Sequence, residues 1–238
     1  MAKLLIKSML LLLCMMALPA QAQHYGGSLA YGRVSIPQWN RAIEVYNFSR
    51  PYLLEPLETY SSNIHLQGYW LQRPYEKVSL GPMINYTRNC LNGKAPNLRV
   101  DVHVQRLELD ALVRLRKVAF KKELNSFFMD LSPGIHLAYL TRRHNGKAIF
   151  TVSDEAILKR VRSLGIGIGL GFKIGYSLYF SRQLLVSPFA LIKYTPLMYA
   201  KNSINVLNQL TMDGLRDHSM VYDFRVGIEV SFCWAVED

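Results

Sequence analysis

The last stretch of the chain sets the pattern for the rest. From Met220 to Trp234 the even positions read Met220, Tyr222, Phe224, Val226, Ile228, Val230, Phe232 and Trp234, and the odd positions include Asp223, Arg225, Gly227, Glu229 and Ser231. Strict alternation gives a β-strand one apolar and one polar face, whereas a helix would scatter these charges around its axis. Leu164 to Phe180 repeats the alternation with glycine. Its even positions are all apolar or aromatic, and they oppose Gly165, Gly167, Gly169, Gly171, Lys173, Gly175 and Ser177. A helix here would lose ~1 kcal/mol at each interior glycine relative to alanine, so the segment is predicted as a strand.

Further segments follow the same period less regularly. In Phe127 to Thr141, Phe127, Met129, Leu131, Ile135, Leu137 and Tyr139 oppose Asp130, Ser132, Gly134 and His136. In Val78 to Arg88, Val78, Leu80, Ile84 and Tyr86 oppose Ser79, Gly81, Asn85 and Thr87. Val100 to Arg116 begins with even apolar residues (Val100, Val102, Val104) and switches at Gln105-Arg106 to odd ones (Leu107, Leu109, Ala111, Val113, Leu115). A one-residue phase slip of this kind predicts a β-bulge. Leu185 to Leu197, Ile64 to Gln72 and Gly26 to Ile36 complete a set of eight strands.

Alternation alone does not say which face is wet, so a soluble lipocalin-like barrel competes with a transmembrane one. Three features favour the membrane. A glycine-rich polar face suits a narrow lumen, where small residues must stand opposite large ones. The polar-face charges nearly balance, with Arg106, Arg114, Lys173 and Arg225 against Glu108, Asp110, Asp130, Asp223 and Glu229. That composition suits a packed, ion-paired interior. The connections alternate, at roughly 28, 5, 11, 8, 22, 4 and 21 residues, which puts long loops on one rim and short turns, with both termini, on the other. Tyr86, Tyr139, Tyr194 and Tyr222 then fall near the long-loop rim, and Phe127, Tyr176, Phe180, Phe232 and Trp234 near the turn rim. Two aromatic girdles around an apolar band are the signature of a membrane-spanning barrel.

The N-terminus agrees. Lys3 and Lys7 precede the apolar run Met9 to Leu18, and Ala20-Gln21-Ala22 is a small-x-small cleavage site. This predicts a secretory signal peptide over 1–22 and a barrel domain over 23–238. The run is far short of the ~20 residues of a helical anchor. Loss of Lys3 and Lys7 takes the formal charge from +11 to +9, a balance suited to anionic headgroups or phosphate-bearing glycolipid. No helical or Gly-aromatic motif accompanies the charge, so nucleic acid is not an expected partner. Cys90 and Cys233 remain after processing, too few for a disulfide framework, and they fall at opposite rims.

This combination resembles the small eight-stranded outer-membrane barrels of Gram-negative bacteria, whose final strand ends on aromatic residues as Phe232 and Trp234 do here. The first-loop segment from Trp39 to Leu53, WNRAIEVYNFSRPYL, is similar to one in uncharacterised Bacteroidota barrel proteins. The resemblance implies an outer-membrane location, and the loop match brings no known activity with it; the chain is expected to be a monomer. Four residues follow Trp234, a small departure from chains that stop at the terminal aromatic.

Candidate binding residues lie in two loops. Pro37 to Asn63 carries Trp39, Tyr46, Phe48, Tyr52 and Tyr60, and Pro37 can open a helix in which Trp39, Ile43 and Tyr46 share a face. These aromatics would grip a ligand or extracellular partner, plug the barrel mouth, or pack on one another to order the loop. Arg142 to Ser163 carries Arg142, Arg143, Lys147, Lys159, Arg160 and Arg162, and Ser153 can cap a short helix. The alternatives there are an anion site for lipopolysaccharide phosphates and a solvated helical loop.

Enzymatic signals are sparse. His136 and Asp130 share a face but stand ~20 Å apart along an extended strand. No motif fixes a nucleophile, the six histidines are scattered, and no metal, cofactor or phosphate-loop pattern is present. Asn47-Phe48-Ser49 and Asn85-Tyr86-Thr87 match the glycosylation sequon by chance. The expected molecule is therefore all-β, an antiparallel eight-stranded transmembrane barrel. It would act as a non-enzymatic scaffold with surface loops. An outer-leaflet lipid-modifying hydrolase or acyltransferase is the alternative.

Overall fold

The computed structural model describes residues 22–48, 54–59, 61–75, 77–95, 98–118, 126–146, 161–181, 183–199 and 218–235. Apart from Ala22, the expected signal peptide lies outside these residues, as does Ser153 with its expected helix. The elements are β1 (Ala22–Ser35), α1 (Pro37–Phe48), β2 (Ser62–Tyr75), β3 (Val78–Ala95), β4 (Leu98–Val118), β5 (Ser126–Gly146), β6 (Val161–Tyr179), β7 (Leu184–Tyr199) and β8 (His218–Ala235). Each strand pairs antiparallel with its sequence neighbours, and β1 pairs with β8 from Ala22↔Ala235 to Ser35↔Tyr222, closing an eight-stranded barrel. Closure leaves no open sheet edge through this zone.

The period-two reading assigns the faces correctly. On β8, Tyr222, Phe224, Val226, Ile228, Val230 and Phe232 point outward and exposed, while Asp223, Arg225, Glu229 and Ser231 are buried in the lumen. On β6, Leu164, Ile166, Ile168, Leu170, Phe172 and Ile174 are likewise exposed. The ten steps from Tyr222 to Phe232, tilted ~40°, give a belt ~25 Å tall, the thickness of an outer-membrane apolar band. Cross-strand aromatic pairs mark its two edges. Tyr194 and Tyr222 meet at 5.5 Å between ring centroids on the loop side, and Phe127 and Tyr176 at 4.7 Å on the turn side. Tyr25 stacks on Trp70 at 6.2 Å and adds to the turn-side girdle. A lipocalin would carry this apolar surface inside.

Three expectations require correction. The register of β4 runs unbroken against β3 from Ala95↔Leu98 to Val78↔Leu115, so no bulge occurs at Gln105-Arg106. Even residues face inward from Val102 to Arg114; Val102 and Val104 are buried because the lumen turns apolar at its mouth. The hydrophobic switch thus reports a change of layer, not of register. The irregularity that does occur lies between Gln72 and Tyr75, where β2 slips by one residue against β3.

The connection from β3 to β4 is only the two residues between Ala95 and Leu98, shorter than expected. Both strands continue above the belt, and β5 accompanies them up to Leu98↔Gly146. Beyond Tyr86 the hairpin offers ~30 Å of strand per arm outside the apolar band. Arg142 and Arg143 consequently belong to β5, opposite Val102 and Asp101, and not to a loop.

Cys90 lies four residues above Tyr86 on β3, and Cys233 lies beside Phe232 at the foot of β8; neither forms a disulfide. A disulfide needs Cα atoms within ~7 Å, a gap this topology cannot close. Thiol titration of the denatured, unreduced mature protein, which lacks Cys14 of the expected signal peptide, should find two thiols per chain, less any carried as a mixed disulfide with a small thiol. A mass two hydrogens short, with no adduct, would contradict the strand order of the barrel.

Candidate functional site

Two layers of paired charge cross the lumen. In the lower layer Arg114 donates from Nε and Nη2 to Asp130, both at 2.8 Å, and from Nη1 to Glu229 at 2.7 Å. Lys173 Nζ donates to Glu229 Oε2 at 2.7 Å and lies 3.0 Å from Asp130 Oδ2. Tyr69 donates its hydroxyl to Glu229 at 2.6 Å. Aromatic rings complete the layer: the Arg114 guanidinium sits 4.2 Å from the Phe128 centroid, and Lys173 sits 5.0 Å from that of Phe189.

The upper layer is built around Glu108. Its carboxylate accepts from Arg106, from Arg225 Nη2 at 2.9 Å and from Lys193 Nζ at 2.8 Å. Lys193 also donates to Asp110 at 2.6 Å, and Asn85 donates to the same carboxylate at 3.0 Å. Asp223 accepts from Arg106 at 2.9 Å and from Arg225. Two histidines flank this hub. His136 places Nε2 2.9 Å from Asp110 Oδ1 and Nδ1 2.6 Å from Thr195 Oγ1. His65 places Nδ1 2.7 Å from Thr87 Oγ1, with Nε2 3.8 Å from Asp223. The close approach of β6 makes room: a Cβ at Gly169 would overlap the His136 ring.

Five cations (Arg106, Arg114, Lys173, Lys193, Arg225) therefore meet five carboxylates (Glu108, Asp110, Asp130, Asp223, Glu229), all buried. Desolvated charges persist only when paired and hydrogen-bonded, and here each has such partners. The alternation pattern identifies four of the cations and misses Lys193, because β7 carries leucine and phenylalanine on its inner face beside Ser187, Lys193 and Thr195.

The scattered histidines are expected to offer no metal site, yet pairing of β4 with β5 brings Glu108, Asp110 and His136 ligand atoms within 4.8 Å of one another. Lys193 already bridges the two carboxylates and supplies the positive charge that a metal ion would bring to them. Asp110, His136 and Thr195 also have the residue types of a hydrolytic relay. None is more than 2% exposed, so the set is sealed within the barrel wall and ion pairs. Asp130, which shares the inner face of β5 with His136, belongs to the other layer.

Above the ions the mouth is apolar. α1 follows β1 directly, packs against β8 and buries Trp39 and Ile43, with Ile36 beneath them. Asn47 donates to the Leu57 carbonyl at 2.8 Å and accepts from its N–H at 3.0 Å, which ties the helix end to the descending loop. Glu55 pairs with Lys94 through two backbone bonds of 3.1 and 2.8 Å and a 2.7 Å ion pair, fastening that loop to the β3–β4 hairpin.

The first-loop candidates thus divide. Trp39 packs at the mouth and Phe48 is 89% exposed. Tyr46 lies on α1 but its side chain, like Tyr52 and Tyr60, is outside the described residues. Among the basic candidates, Lys147, Lys159 and Arg160 are also outside them, as are the side chains of Arg142 and Arg143. Asn85 is fully buried and Asn47 is engaged with Leu57, so neither sequon presents a free amide.

No protein-family model and no curated protein matches the chain. Among solved structures it is similar to Neisserial surface protein A at 11% identity, covering 89% of this chain and 97% of that one, with a TM-score of 0.47. It is similar to Ail, the attachment invasion locus protein of Yersinia pestis, solved with the heparin analogue sucrose octasulfate, at 10% identity over 91% and 100%, TM-score 0.45. It is also similar to the outer membrane protein OprG from Pseudomonas aeruginosa, at 9% identity over 92% and 98%, TM-score 0.42.

Proposed function

We propose that this protein is a non-conducting outer-membrane anchor whose loop-side rim presents a binding surface outside the cell. The observation that carries the reading is the coincidence of an apolar, aromatic-edged belt with a lumen filled by balanced ion pairs. A belt of that height demands hydrocarbon around it, and eight strands leave an interior that side chains fill. What remains available for function is the rim. There α1, the 54–59 segment and the raised β3–β4 hairpin are fastened together, with exposed Phe48 and Leu54 on the outside. Arg142 and Arg143 lie in the last residues of β5 on the side of this rim, and Lys147, Lys159 and Arg160 fall in the sequence between β5 and β6, where lipopolysaccharide phosphates would meet them. The protein acts as a monomer, and the surface suits an extracellular partner as well as lipid.

Two measurements test this. An epitope inserted between Ala95 and Leu98 should be labelled by antibody on intact cells. Labelling only after the outer membrane is permeabilised would reverse the orientation. In planar bilayers the purified protein should give no stable porin-sized conductance. A steady channel passing small sugars would overturn the filled-lumen reading.

A further inference from the structure

The ion network leaves aside one nucleophilic group. At the turn-side mouth of the lumen, β1 and β8 pair His24 directly with Cys233. Cys233 Sγ lies 3.4 Å from His24 Nε2, a hydrogen-bonding distance for sulfur. Arg116 Nη1, from β4, lies 3.4 Å from the same nitrogen. A guanidinium can only donate, so its presence favours the tautomer in which Nε2 keeps its lone pair. The S–H and the guanidinium share that single acceptor, each at 3.4 Å, so the part of Arg116 is to stabilise the thiolate by its charge and not to help His24 take the proton. His24 is buried and fixed, whereas Cys233 is half-buried and faces the rim that holds the chain termini.

We propose that Cys233 is a reactive thiol, activated by His24 and Arg116, that takes up low-molecular-weight disulfides at the turn-side mouth. The Cys233 S–H passes its proton to His24 Nε2, and the thiolate attacks one sulfur of the disulfide. A new S–S bond forms to Cys233, the old one breaks, and the departing thiolate receives the proton from His24. Atoms and electrons balance with the disulfide as the only oxidant. The thiolate is the reacting species in such exchange, and a neighbouring imidazole or cation increases its share.

The chain carries its own comparison. Cys90 sits above the belt at the other rim, with its sulfur 3.4 Å from Asn92 Oδ1. Partial burial and the nearby Asp101 carboxylate push its thiol up from the ordinary value. Exposure alone would make Cys90 the faster of the two; the environment of Cys233 reverses the order.

The experiment uses folded mature protein starting at Gln23, and therefore without Cys14, in detergent as Cys90→Ser, which leaves Cys233, and Cys233→Ser, which leaves Cys90. Each is treated with 4,4′-dithiodipyridine, a neutral probe that Arg116 does not attract by charge. At pH 6.5, Cys233 should react at least tenfold faster than Cys90, and its rate should fall less steeply as pH is lowered. His24→Asn in the Cys90→Ser background should remove most of that advantage, and Arg116→Gln should reduce it. Folding of each variant is read from its heat-modifiable gel mobility. If His24→Asn fails to fold, the pH profiles of the two single-cysteine proteins and Arg116→Gln decide. Equal or slower reaction of Cys233, or a rate indifferent to both substitutions, would overturn the assignment.

Discussion

Glu108→Gln is expected to destabilise the folded barrel by about 3–5 kcal/mol, the range for breaking a buried ion pair from one side. Glu108 is fully buried and receives Arg106, Lys193 and Arg225. Its loss leaves three cations facing Asp110 and Asp223 alone in a buried layer. An amide keeps the volume but returns an N–H₂ donor toward donors. The control is Glu55→Gln. That carboxylate pairs with Lys94 at a similar distance of 2.7 Å, but the two side chains are 60% and 53% exposed. Exposed pairs contribute about 0–1 kcal/mol. Urea titration of folding, followed by heat-modifiable gel mobility, would compare the two. Adding Lys193→Met to Glu108→Gln should recover part of the loss, because it removes one uncompensated cation. Equal costs at Glu108 and Glu55 would mean that water penetrates the lumen and the layer is not sealed.

Much of this architecture is legible in the sequence because a half-lipid, half-lumen strand writes its environment into alternate residues. β6 and β8 are the clearest: every second residue must satisfy hydrocarbon, and the residues between must satisfy a narrow ionic interior. The faces, the closure and the filled lumen follow. What escapes is whatever depends on a third direction, height above the membrane. Val102 and Val104 look like lipid-facing residues out of phase, yet they face inward where the lumen becomes apolar under α1. Residues beyond Tyr86 and Tyr139 leave the apolar band, so the alternation that identifies the strands fades although the strands continue. That is why the β3–β4 hairpin reads as a loop and why Arg142 and Arg143 are placed in one.

The ionic site is legible as composition but not as pairing. A balance of four cations against five carboxylates is already one cation short. Neutrality of a sealed interior is the signal that could find Lys193, which alternates with Leu191 and Thr195 on the inner face of β7. The partner of His136 cannot be found along its own strand. Registers of β4 against β5 put Glu108 opposite His136 and Asp110 opposite Gly134, and cross-strand register is set by turn geometry that the pattern does not record. The same holds for His24 and Cys233, which are 209 residues apart and adjacent only because the barrel closes.

Val226→Arg should cost about 2–4 kcal/mol in a lipid bilayer, the range for a cation facing the midplane of a barrel. Val226 is outward and lies between the girdle residues Tyr222 and Phe232, too deep for a guanidinium to reach either headgroup layer without local thinning. Two comparisons separate depth from general damage. Met198→Arg, on the outer face of β7 opposite His218 and above the Tyr194–Tyr222 pair, should cost only ~0–1 kcal/mol, because there the cation meets headgroups. Gly227→Ala, one residue from Val226, acts on the other side of the wall. Its Cβ would overlap the Leu29 carbonyl and press on the Ala30 side chain across the β1–β8 closure. It should therefore impair folding in detergent and bilayer alike, whereas the Val226→Arg cost should grow with the hydrocarbon thickness of the host bilayer. Folding in bilayers of short and long acyl chains measures this directly. A Val226→Arg cost no larger than that of Met198→Arg, and unchanged between the two bilayers, would mean that the outer face does not lie in hydrocarbon, and the membrane assignment would fall with it.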